Sequence, residues 1–179
     1  MKKYIYLGLV LAITVIAFIF RGEFNRTKLL KDSGAYGLDT KELIIALEDN
    51  LIEEISVASI DDEFITFYIE EEKYVREIED DLLYISFAPY TYLTHGCFIH
   101  SLTGCRGELV MEDVYVEIFD EFGVKVYSDT INTGEDGFIG LFLESNKIYN
   151  AKVEASGYSS EFQIDEFSKQ TCYTEVKLG

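Results

Sequence analysis

The chain contains two histidines and three cysteines, and four of these five residues lie between His95 and Cys105. Thiolate sulfur is soft and imidazole nitrogen only slightly harder, so such a donor set suits a d¹⁰ ion. Cu(I) is content with three donors in a plane, and Zn(II) prefers four in a tetrahedron. His95 and Cys97 are two positions apart and share one side of an extended segment. Ser101 to Gly104 can form a turn that brings Cys105 back toward His100. Cys172 lies 67 residues beyond Cys105 and joins them if the last strand of the fold returns to this segment. A structural use of the same residues competes with metal binding. In an oxidising compartment two of three cysteines commonly pair, and a Cys105–Cys172 disulfide would stabilise the fold by roughly 3–4 kcal/mol. That pairing leaves Cys97 over, flanked by both imidazoles. Methionine occurs only at Met1 and Met111, which excludes a methionine-rich copper carrier. Ser101 follows His100 without an acid at triad-like spacing, so hydrolysis is not implied.

The elements that must position these residues are mostly strands. Thirteen Tyr, thirteen Phe and thirteen Gly against a single Pro favour strands joined by glycine turns. One helix stands out over about Thr40 to Asn50. Asp39 and Glu42 form a capping box, and Leu43, Ile44, Leu47, Leu51 and Ile52 recur on one face. Ile55–Ile60, Phe64–Ile69 and Leu82–Phe87 read as strands that complete a small α+β domain over 38–89. From there a metal-binding segment leads into seven short strands: Gly107–Val110, Val114–Phe119, Val124–Thr130, Phe138–Leu143, Ile148–Ala155, Ser160–Ile164 and Thr171–Leu178. Seven strands at this spacing predict a β-sandwich over 90–179. Ile148-Tyr149, Ala151, Val153 and Gly157-Tyr158 resemble prealbumin-like modules, a likeness of scaffold that carries no chemistry.

Lys2 and Lys3 precede Tyr4 to Phe20, which is uncharged throughout and ends at Arg21. Residues 1–21 therefore predict a transmembrane anchor or a signal segment, followed by a linker over 22–37. Phe18, Ile19 and Phe20 stand where a cleavage site needs a polar stretch, which favours the uncleaved anchor; cleavage would leave a periplasmic or secreted protein. The whole chain carries 33 acidic and 15 basic residues, a net charge of −18. With Lys2, Lys3 and Arg21 set aside, 12 basic residues face the same 33 acidic ones, so the body from Gly22 carries −21. Such a surface repels a phosphate backbone and excludes nucleic acid as a partner. The acidic runs Glu70–Glu72 and Glu79–Asp81 read as solvated surface. A hydrophobic content of 48% is enough for a real core and excludes global disorder.

Pro89-Tyr90, Thr94-His95, Cys97-Phe98, His100 to Thr103, Cys105 and Gly107-Glu108 match the form P-Y-x-x-x-T-H-x-C-F-x-H-S-L-T-x-C-x-G-E. With this segment the chain resembles the CueP family of bacterial periplasmic copper-binding proteins. The likeness extends to Ala35–Asp39, to Asp136–Leu141 and to Thr171-Cys172. It implies a small N-terminal domain used in a homodimer and a C-terminal β-sandwich, with copper held on Cys97, Cys105 and Cys172. His95 and His100 occupy hallmark positions. It also implies copper tolerance, sequestration or delivery rather than enzymatic turnover. Thiols would reduce Cu(II), and Cu(I) would pass to a client copper enzyme such as a superoxide dismutase. A membrane-anchored spacer module locked by a Cys105–Cys172 disulfide and a zinc-binding protein are the alternative readings.

Overall fold

The computed structural model describes residues 2–179, without the side chains of residues 2–11, 13, 17 and 18. Helix α1 (Lys2–Asp32) is continuous. The anchor expected over Tyr4 to Phe20 falls largely on residues whose side chains lie outside the described set. Among the described residues no helix is long and apolar enough to cross a membrane. The stretch from Gly22, expected as linker, is helical as far as Asp32, because its last turns have partners in the body. Leu29 and Leu30 pack against the first core, and the Arg26 guanidinium donates to the Lys73 carbonyl at 3.0 Å and lies 4.9 Å from the Tyr74 ring centroid.

Helix α2 (Thr40–Glu48) begins at the expected capping box: Glu42 N–H donates to Asp39 Oδ1 at 2.8 Å, and Asp39 N–H to Glu42 Oε2 at 3.0 Å. Leu43, Ile44 and Leu47 bury its apolar stripe against an antiparallel sheet of β1 (Val57–Ile60), β2 (Phe64–Ile69) and β3 (Glu72–Glu77). β2 alternates as one-sided burial demands, with Ile65, Phe67 and Ile69 inward.

The remaining strands form two further sheets. β4 (Leu82–Tyr90) is central in the first, parallel to β10 (Cys172–Lys177) and antiparallel to β7 (Ile139–Glu144). The second runs β6 (Lys125–Asn132), β5 (Asp113–Asp120), β8 (Ile148–Ala155), β9 (Tyr158–Asp165), all antiparallel. The chain is thus mostly β, and one cluster holding Leu83, Ile85, Phe87, Val114, Val116, Ile118, Tyr149 and Val153 joins the two sheets.

Two strand expectations are corrected. Leu82–Phe87, assigned to the small domain, is the middle strand of the sheet that carries Cys172. Gly107–Val110, expected as a strand, is irregular, held by Gly107 N–H on the Asp136 carbonyl and Met111 N–H on the Gly134 carbonyl. β4 misleads because both of its faces are covered. Leu83, Ile85 and Phe87 enter the core between the sheets, while Tyr84 faces the α2 core and Ala88 packs with the cysteines. Sequence order alone attaches such a strand to its nearest neighbours, whereas hydrogen bonding attaches it elsewhere. Ile85 is fully buried, so Ile85→Ala should cost about 2–5 kcal/mol in urea unfolding. Val124→Ala, at an exposed hairpin, should stay within about 0.5 kcal/mol.

Candidate metal centre

The segment from Thr91 to Cys105 has little regular structure and is held by side chains and by the edges of two sheets. The Glu108 carboxylate accepts the backbone N–H groups of Thr91, Tyr92 and Leu93 at 2.8, 3.0 and 3.1 Å. These bonds, the one from Tyr92 foremost, hold its pKa below the usual carboxylate range. The Thr94 hydroxyl donates to the Thr174 carbonyl, and the Phe98 carbonyl accepts from Thr171 and Cys172 N–H at 3.0 and 3.1 Å. On the other side, Ile60 N–H donates to the His100 carbonyl at 2.9 Å and Leu102 N–H to the Ala58 carbonyl at 3.0 Å. The Thr171 hydroxyl joins the two edges: it accepts His100 N–H at 3.0 Å and donates to the Ile60 carbonyl at 2.7 Å.

This clamping gathers all five sulfur and imidazole residues. The donor atoms of His95, Cys97 and Cys105 lie within 4.8 Å of one another, and so do those of His100, Cys105 and Cys172. Cys105 belongs to both groups. His95 is exposed, Cys97 half-buried, and His100 and Cys172 have no exposure. The Cys105–Cys172 disulfide of the alternative reading is not formed: Cys97 and Cys172 are the bonded pair, with Cα atoms 5.5 Å apart, and Cys105 is the free thiol. The backbone explains the choice. Phe98 and Cys172 are hydrogen-bonded neighbours, which sets Cys97 beside Cys172, whereas Cys105 is drawn into the turn that starts at Ser101. Its N–H donates to the Ser101 carbonyl at 3.2 Å and its sulfur accepts Ser101 N–H at 3.4 Å. The Cys105 sulfur nevertheless remains 3.7 Å from that of Cys97.

Cys105 and His100 form an acid–base pair. Burial disfavours the imidazolium, but the Cys105 sulfur and the Glu48 carboxylate outweigh it and lift His100 from 6.5 to about 9. Burial also raises the Cys105 thiol, and the His100 ring and Ser101 N–H together pull it below its ordinary value. His100 Nε2 lies 3.0 Å from Glu48 Oε1, while Nδ1 is buried with no hydrogen-bond partner of good geometry. A buried, unsatisfied imidazole nitrogen beside converging sulfurs is the donor chemistry a soft cation needs, so the residues present fit copper.

Glu48 and Tyr84 support this centre without any motif to announce them, whereas Thr171 stands in the Thr171-Cys172 pair already matched to the family. Glu48 did carry one signal: it lies four positions after Ile44, a charged residue on the apolar stripe of α2. The glycines are easier to read. A β-carbon on Gly137 would meet the Gly107 backbone at 2.9 Å, and one on Gly140 would collide with the Tyr84 hydroxyl and come within 2.7 Å of Glu48 Oε2.

A family model described as periplasmic copper-binding protein CueP matches residues 43–177, three quarters of the chain and all five donors. The chain belongs to the CueP family. The crystal structure of S.CueP superposes on it with a TM-score of 0.79 at 28% sequence identity, covering 86% of this chain and 97% of that one. No curated protein matches it. For this CueP-family chain, mass mapping of thiols before reduction should find Cys105 alone unpaired. Reduction, or Cys172→Ser, should lower stability by about 4 kcal/mol through release of the long Cys97–Cys172 loop, whereas Cys105→Ser should leave that bond in place.

Proposed function

We propose that this protein binds copper outside the cytoplasm, for tolerance, sequestration or delivery, and holds Cu(I) on Cys97, Cys105 and Cys172 with His100 and His95 at the same centre. One observation carries the reading. Two groups of three donors, His95 with Cys97 and Cys105 and His100 with Cys105 and Cys172, overlap at Cys105 with their donor atoms within 4.8 Å in each, and the family of this chain is described as periplasmic and copper-binding.

The chemistry follows from the donors. When Cys97 and Cys172 are thiols, two Cu(II) ions can each take one electron from them. Two Cu(I) ions, one disulfide and two protons result, and the Cys97–Cys172 bond is the oxidised product. After this step only Cys105 still carries a free sulfur, so Cu(I) is held on all three cysteines only once an external dithiol reductant has returned two electrons and two protons to the Cys97–Cys172 bond. Copper is cargo in this scheme, so no turnover is required. The two sheets with a common core are read as the β-sandwich, and α2 with β1 to β3 as the small domain. The basic–apolar–basic run from Lys2 to Arg21 is read as the signal or anchor that places both outside. Pairing of two copies through the small domain and hand-over of Cu(I) to a client copper enzyme extend the same reading. They are supported by the resemblance of Pro89 to Glu108 to the family hallmark.

Titrating the reduced full chain with Cu(I) against a chromophoric chelator tests this directly. Competition by the protein, weakened at least tenfold by Cys97→Ser, is expected, and Zn(II) should not displace the bound Cu(I). Failure to compete, an unchanged Cys97→Ser variant, or preference for Zn(II) would overturn the assignment. Binding should also strengthen as pH rises toward about 9, because the metal must displace the proton that His100 holds up to that value. In His100→Gln the proton release on binding should fall by about one, read by titration in buffers of different ionisation enthalpy.

A further inference from the structure

The copper-binding centre lies between the two structural units, and besides the backbone bonds from β1 one side-chain contact reaches from the first unit to a donor residue. Glu48 is the last residue of α2, and its carboxylate reaches His100, which belongs to the clamped segment between β4 and β5. His100 has no exposure and the Glu48 side chain only 18%. The Tyr84 hydroxyl, from β4, donates to the same Glu48 oxygen, so the carboxylate is gripped from two directions. Room for this arrangement comes from Gly140 on β7, where any β-carbon would displace both Tyr84 and Glu48.

An imidazole offers a metal one nitrogen at a time, and its other nitrogen decides which. Once the metal has displaced the proton that His100 holds and Nε2–H stays on Glu48, the lone pair is on Nδ1, the ring nitrogen that is buried without a hydrogen-bond partner; the His100 ring belongs to the donor group with Cys105 and Cys172. An uncharged partner that can either donate or accept would not select that state. A carboxylate accepts only, so it holds the ring in one orientation and one tautomer.

We propose that Glu48, steadied by Tyr84, is the positioning residue of the copper centre: it accepts Nε2–H of His100 and so presents Nδ1 to a Cu(I) ion shared with the sulfurs. This rests on the reading of the centre as a Cu(I) site. It makes α2 and β4 part of the copper-binding apparatus, although neither contributes a ligand.

The test uses the reduced full chain labelled with ¹⁵N-histidine and loaded with Cu(I), which is diamagnetic. The chain has only two histidines, so Glu-dependent changes are assigned once His95→Gln has identified the other signal. In the parent, His100 should show a metal-shifted Nδ1 and a slowly exchanging Nε2–H. Glu48→Gln should lose the slow Nε2–H, mix the tautomers and weaken Cu(I) in chelator competition by about 10- to 100-fold. Tyr84→Phe should shift both readouts the same way by less. Glu48→Asp, which keeps the carboxylate, should recover part of the affinity lost in Glu48→Gln. A merely structural role would lower thermal stability and leave the nitrogen pattern of the loaded protein unchanged. That result, or parental affinity in Glu48→Gln while Cys97→Ser still weakens binding, would overturn the proposal and leave the copper assignment standing. If the parent itself fails to bind Cu(I), the copper assignment fails, and this proposal with it.

Discussion

Burial of β4 on both faces is the constraint on which the rest of the molecule depends. Its odd-numbered side chains, Leu83, Ile85 and Phe87, close the core between the two larger sheets. Its even-numbered ones face the other way, where Tyr84 meets Glu48 and Ala88 packs beside Cys105, Cys172 and Phe138. Parallel pairing sets Ser86 opposite Cys172, and antiparallel pairing sets it opposite Gly140. One strand thus fixes the height of the distant cysteine, the supporting tyrosine and the glycine that makes room for it. Because successive side chains of a strand point to opposite faces, a one-residue slip would exchange the two sets and dismantle core and centre together.

The clamped segment has the opposite character. It contributes little to the core apart from Leu102, and its order comes from hydrogen bonds to elements far away in sequence. Thr171 is the sharpest case, a single hydroxyl that ties His100 to β1 while the neighbouring residue supplies the Cys172 sulfur. A segment held in this way keeps its donors in place with or without one particular disulfide. That is what a centre needs if its sulfurs alternate between bonding each other and bonding a metal. Inside it, His100 and Cys105 each favour the charged form of the other, which lowers the Cys105 pKa and raises that of His100 against the cost of burial.

Much of this was legible in the residues. The capping box at Asp39 and Glu42, the stripe of α2, the alternation of β2 and β5 and the donor-rich segment all follow from local periodicity and local chemistry. The five sulfur and imidazole residues could be named because their types are rare here and their spacing is short. The disulfide partner of Cys172 could not be named. Cys97 and Cys105 are equivalent in sequence terms, and what separates them is a backbone hydrogen bond between Phe98 and Cys172. Glu48 was hidden for a related reason, since a carboxylate on an apolar stripe acquires meaning only when its partner across space is known.

The sequence by itself determined the acidic, strand-rich character of the body, the start of its helix and the residues able to bind a soft ion. These depend on side-chain chemistry and on repeats of two or 3.6 residues, which operate over a few positions. Only the tertiary structure decided which sheet β4 joins, which cysteine pairs with Cys172, and which nitrogen of His100 is left free. Each of those outcomes is set by contacts between residues tens of positions apart, where geometry chooses among partners that local chemistry leaves equal.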